Sequence, residues 1–136
     1  MRAGWQGRMM AEQDLARLLR GMEPVLHGAA HGFALWPGGA MPFAPFATVA
    51  EEEGLTVVAP LEELERAGLV SEAWARISLT IHSDLAAVGL TAAFSAALAA
   101  EGISCNVVAG VHHDHLFVPW DRRFDALAAL ERLAHA

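Results

Sequence analysis

The sequence predicts an α+β fold of the ferredoxin-like kind, with antiparallel sheets, helices on one face, and two packed modules. Three observations predict it. The second half alternates segments of period 2 and period 3.6 in the order β-α-β-β-α, which is a βαββαβ unit without its last strand. The first half supplies three more strand-like and two helix-like segments. Of the 136 residues, 54% are hydrophobic and 18% charged, enough to bury a core in one compact domain or two very small ones.

Residues 1–10 show no periodicity and read as a flexible tail. Leu15, Leu18, Leu19 and Met22 then recur at i, i+3, i+4 and i+7, so 11–22 is expected to be an amphipathic helix closed by Gly21 and Pro24. Residues 25–37 read as extended, and Pro37 to Pro42 as a loop on turn chemistry. Two strands, 46–51 and 55–59, flank Glu52-Glu53-Gly54 as a hairpin. Pro60 opens a short helix that runs to about Ala67 and ends at Gly68.

In the second half, Ile77, Leu79 and Ile81 alternate with Ser78, Thr80 and His82, giving a half-buried strand. A loop from Ser83 to Val88 leads into a helix on which Leu90, Phe94 and Leu98 stack, and Gly102 ends it. Ile103, Cys105, Val107 and Ala109 form the inward row of the next strand. After a turn at Gly110–Asp114, Leu116 and Val118 belong to a third strand that Pro119 stops. Asp121 is the expected N-cap of a last helix lined by Phe124, Leu127 and Leu130. The C-terminal sheet is expected to be completed by chain from 25–60. The expected division is a tail over 1–10, an N-terminal module over 11–72 and a C-terminal module over 73–136.

Net charge is −7, carried against nine arginines and no lysine. That balance argues against a nucleic-acid partner and against an anionic membrane surface. The Ala-rich run Val88–Ala100 is too short to span a bilayer, and the first ten residues lack a signal-peptide apolar region. The single cysteine, Cys105, permits no internal disulfide. Together these point to the cytoplasm.

Ser83 to Thr91 (SDLAAVGLT), followed by Ala100 to Val108 (AEGISCNVV), resembles an ACT domain. Gly89 stands where such domains keep a glycine at the strand-to-helix loop. The longer run GISCNVVAGVHHDHLFVP, from Gly102 to Pro119, is similar to small bacterial ACT proteins of two modules, the CASTOR type. Leu19 to Leu26 (LRGMEPVL) and Glu52 to Val58 (EEGLTVV) fit the same group, so the resemblance covers the chain from about residue 12. It implies a regulatory or sensor protein that binds a small molecule, an amino acid above all. The implied site lies between modules, where the first loop of one module faces a strand of its neighbour.

That resemblance places the ligand at Asp84, Val88, Gly89, Leu90, Thr91, Ser104, Asn106 and Val107. A loop entering a helix offers free N–H groups and a favourable dipole to a carboxylate. Gly89 lets the ligand approach the backbone, Asn106 can read a head group that both donates and accepts, and Asp84 can pair with an ammonium group. The plainer alternative is that Gly89 only makes the turn, Asp84 caps the helix and Asn106 satisfies nearby backbone. Replacing Gly89 by valine is expected to abolish binding and leave the fold intact.

Two other functions compete with this one. His112, His113, Asp114 and His115, with His82 on an earlier strand, have the chemistry of a catalytic metal site, yet strand alternation parts them and no HExxH or paired CxxC pattern is present. No bound metal is expected. A module that has kept the fold and lost its ligand is the other alternative. No nucleophile elbow surrounds any serine, Cys105 reads as an inert inward side chain, and Gly38-Gly39 lacks the lysine and helix of a phosphate loop. Trp36, Trp74 and Trp120 read as core residues. The chain is thus expected to be no enzyme, to need no cofactor, and to form a homo-oligomer if the site lies between chains.

Overall fold

A computed structural model describes residues 15–80 and 89–136. The tail expected over 1–10, the first turn of the first helix and the loop from Ser83 to Val88 lie outside the described residues. Helix α1 occupies 15–21. Strands β1 (Pro24–Trp36), β2 (Ala47–Glu51) and β3 (Gly54–Pro60) follow, then helix α2 (Leu61–Arg66). The second half runs β4 (Trp74–Leu79), α3 (Leu90–Ala100), β5 (Asn106–Ala109), β6 (Asp114–Pro119), a 3₁₀ turn at Trp120–Arg122 and α4 (Arg123–Ala134). The order expected from the sequence is therefore found.

Among the described residues six strands form one curled sheet in the order β2-β3-β1-β4-β6-β5, and every neighbouring pair is antiparallel. β1 is the join. Its C-terminal part pairs with β3, and its N-terminal part pairs with β4 across a register shift between Leu26 and Ala30. His31 belongs to both ladders, opposite Pro60 on one side and Trp74 on the other. Chain from the first half thus completes the sheet of the second, as expected.

Register fixes which face each side chain takes. Ala30 lies opposite Ala75, and the unbroken β1–β3 ladder carries Gly32, Ala34 and Trp36 onto that same face beside Ala59, Val57 and Leu55. All the helices of the described residues pack there. Leu64 of α2 is fully buried with Val57 and Ala59 in a small cluster. Phe94 and Leu98 of α3 and Ala126 and Leu130 of α4 pack with Ile77, Leu79, Leu116 and Val118 in a larger one, which Met22 of the first half also enters. Burying each of the larger of these side chains, the Leu, Ile, Val, Phe and Met, contributes about 1.5–3 kcal/mol.

Helices α2 and α3 end in the same way. Gly68 has φ +79 and Gly102 φ +69. The N–H of Leu69 donates to the Leu64 carbonyl at 2.9 Å, and that of Ile103 to the Leu98 carbonyl at 3.0 Å. The apolar residue after each glycine packs in the same cluster as the helical residue whose carbonyl it binds. These are Schellman closures, and they need the left-handed residue that glycine supplies.

Four expectations are corrected. Asp121 does not cap α4: it lies in the 3₁₀ turn, and α4 begins after Arg122 with no side-chain cap. Phe124 is 65% exposed, because α4 turns Ala126, Ala129, Leu130 and Ala134 inward and leaves the phenyl ring to the Arg123 guanidinium, 4.6 Å away. Ala109 is exposed at the end of β5. Ser78 is only 8% exposed, so β4 is covered on its second face as well.

Candidate ligand-binding site

The expected ligand site begins where α3 begins. Gly89 has φ +94 and ψ −20, directly before Leu90, and its carbonyl accepts the first helical bond from Ala93 at 2.9 Å. No side chain caps this end among the described residues, and the first turn holds no acidic residue. No described side chain competes for its first N–H groups, the kind of donors that suit a carboxylate. Thr91 is exposed beside them, whereas the Leu90 side chain is 2% exposed in the core and can offer only its backbone. Asp84 and Val88 lie outside the described residues.

Gly89 is more constrained than expected. A Cβ there meets the Leu15 side chain of α1 at 3.2 Å, and the backbone is in the left-handed region. Valine at this position is strained and pushes on α1, so Gly89→Val tests the fold as well as the site.

Ser104 and Asn106 are exposed, and Val107 is partly buried against the main core. Asn106 and Val107 are neighbours on a strand and face opposite ways. Asn106 lies opposite Phe117, on the helix-free face. Within one chain β6 stands between β5 and β4, the strand that leads to the α3 loop. The chain therefore gathers Gly89, Leu90 and Thr91 at one place and Ser104 and Asn106 at another. β5 is an edge strand, with backbone groups open to a neighbour.

The sequence reading missed the helix-free face. His27, Arg76, Ser78, His115 and Phe117 meet there with Phe46 from the loop before β2. Ser78 Oγ lies 2.8 Å from His27 Nε2 and 2.7 Å from His115 Nδ1. An Arg76 N–H donates to His27 Nδ1 at 3.1 Å. The guanidinium sits 4.4 Å from the centre of the Phe46 ring. Phe46 in turn meets the rings of His115 at 4.8 Å and Phe117 at 5.6 Å edge-on. Burial, joined by the Arg76 charge, pushes the His27 and His115 imidazoles below their ordinary pKa.

The turn expected at Gly110–Asp114 is present, with the Gly110 N–H donating to the His113 carbonyl at 2.8 Å. The rings of His112 and His113 are 6.3 Å apart, and those of His113 and His115 6.4 Å. Among the described residues no three His, Cys, Asp or Glu side chains gather as a metal site. Burial raises the Cys105 thiol to about 11, the wrong direction for a nucleophile. Trp36 and Trp120 pack against the two core clusters, and Trp74 meets Phe33 edge-on at 5.8 Å on the helix-free face.

Comparison with known proteins bears on this geometry. Two family models, each described as an ACT domain, match residues 10–76 and 69–132. A Vibrio cholerae protein of unknown function, described as a possible transport protein, is 42% identical over 91% of this chain and 98% of its own, with a TM-score of 0.82. An Agrobacterium tumefaciens protein is 14% identical over 83% of this chain and 89% of its own, at 0.70. The ligand-free regulatory subunit of aspartate kinase from Thermus thermophilus is 15% identical over 81% and 95%, at 0.59. At those last two identities the likeness is one of fold. No curated protein gives a significant match.

Proposed function

Because the chain belongs to the ACT-domain family, with two such domains in tandem, we propose that it is a regulatory protein that binds an amino acid and catalyses no reaction. ACT domains are regulatory modules that take small-molecule ligands. The observation that carries the finer reading is the start of α3: a first turn opened by a left-handed glycine, with no side-chain cap among the described residues and no acidic residue of its own to repel a carboxylate. Thr91 is the exposed hydroxyl beside it. Asp84 would pair with the ammonium group, and Val88 would border the site beside Gly89.

The second wall comes from Ser104, Asn106 and Val107. Because β6 separates them from the α3 loop within one chain, the reading places them across an interface, on the exposed edge strand β5 of a second copy. A homo-oligomer in the cytoplasm is the form proposed. The module boundary proposed for the chain, between residues 72 and 73, falls inside the overlap of the two family matches.

A thermal-shift screen with the twenty amino acids and a set of divalent metals tests the proposal. A ligand at 100 times its dissociation constant should stabilise by about 2.7 kcal/mol. Calorimetry on Thr91→Ala and Asn106→Ala, both exposed positions, should then show weakened binding with unchanged thermal stability. If no amino acid binds the parent at millimolar concentration, sensing fails and the assembly-module alternative replaces it. Loss of stability on chelation would favour the metal-dependent alternative.

A further inference from the structure

Arg76 stands on the helix-free face of β4, opposite Phe117 of β6, with its guanidinium over the Phe46 ring. It forms no ion pair with a carboxylate among the described residues. Among the described residues its hydrogen-bond partner is the His27 ring, and its Nε–H is buried with no acceptor. Burial pulls its pKa down, and no acidic group among the described residues opposes it. A half-buried cation left in this state costs free energy that an anion would return.

The groups around it hold it in place. Arginine only donates, and one terminal nitrogen of Arg76 lies 3.1 Å from His27 Nδ1 and 3.3 Å from Nε2, so the His27 ring accepts from it. Ser78 Oγ bridges His27 Nε2 and His115 Nδ1, which ties the two rings together across β4. What Arg76 itself still offers is a donor, the Nε–H.

We propose that this helix-free face binds a small oxyanion, a carboxylate or a phosphate group, on the Arg76 guanidinium, with His27, Ser78 and His115 holding the donors in place. Arginine presents its Nε–H and a terminal N–H in the fork that matches two oxygens of such a group. Phe46 covers one face of the guanidinium, so an anion has to meet it along its edge, in the plane of its N–H groups. This site is separate from the entrance to α3 and does not rest on the amino-acid reading.

The test follows the Arg76 side-chain Nε–H resonance in the full chain during titration with inorganic phosphate and, separately, with sodium acetate, at ionic strength fixed with sodium chloride. A saturable shift is expected with at least one of them, and the responding probe identifies the phosphate or the carboxylate. Arg76→Lys keeps the charge and loses the fork, so affinity should fall about tenfold. Arg76→Met should lose the anion-dependent rise in melting temperature yet melt no lower than the parent in anion-free buffer, since it removes an unpaired charge. Absence of a saturable shift with both probes overturns the proposal. So does undiminished affinity in Arg76→Lys, or a marked fall in the anion-free melting temperature of Arg76→Met, which would make the guanidinium a structural group.

Discussion

At Ser78 one hydroxyl joins two imidazoles, His27 from β1 and His115 from β6, the strands on either side of β4. His31 adds a third ring on the same face, 5% exposed, with Nδ1 3.2 Å from the Ala29 carbonyl. Burial is the first cause that lowers the pKa of all three below the ordinary 6.5. The sign follows from proton binding. Below about 6.5 the unfolded chain takes up protons that these folded rings refuse, so folding stability should fall as pH drops through that value toward the depressed folded values. Asp114 acts the other way, since burial raises its carboxyl above 3.8, but its window lies at lower pH. Urea unfolding across the weakly acidic range checks this. Stability that is flat or rising on acidification below 6.5 would show that the rings are not buried neutral. The sequence signalled His115 only as part of the His112–His115 cluster, and His27 and His31, set among Gly28, Ala29 and Ala30, carry no periodic signal that marks them as buried.

Among elements, the legible ones are those whose signals are local. Both Schellman closures were readable because one glycine follows the last leucine of the helix by four positions: Leu64 to Gly68, Leu98 to Gly102. The start of α4 was not, because Pro119 holds ψ 136 and admits a 3₁₀ turn that displaces Asp121 from the capping position. Its inward face was misread because alanines carry the contact and the larger Phe124 stays outside. At Gly102, φ +69 puts a side chain in the left-handed region while nothing stands within 4 Å of its Cβ. Gly102→Ala should therefore cost about 1–2 kcal/mol through backbone strain alone. Chemical denaturation should show a lower midpoint with an unchanged slope, and a loss below a few tenths of a kcal/mol would mean that α3 closes without the left-handed residue.

At the scale of the whole molecule, β1 decides how the two halves behave. Tandem matches at 10–76 and 69–132 suggest two units, yet one strand supplies ladders to both β3 and β4. The larger core also crosses the division, since Met22 is 2% exposed in it and Leu15, Leu19 and Leu26 pack against it. The helix-free face crosses it too, through His27, Phe46 and the Phe33 ring 5.3 Å from Phe117. This face was illegible because its members come from separate segments, β1, the 37–46 loop, β4 and β6, with no period linking them. Residues 73–136 alone would keep βαββα but lose the partner of β4, the cover of Met22 and one wall of the Ser78 network. An uncovered central strand edge and a depleted core leave too little burial to offset chain entropy in so short a segment. The intact chain should therefore unfold in one transition, with tryptophan fluorescence and far-ultraviolet circular dichroism coincident in urea. The fragment 73–136 should show no cooperative transition and should aggregate through β4. A fragment that melts cooperatively as a soluble monomer would mean that β1 merely joins two self-sufficient modules.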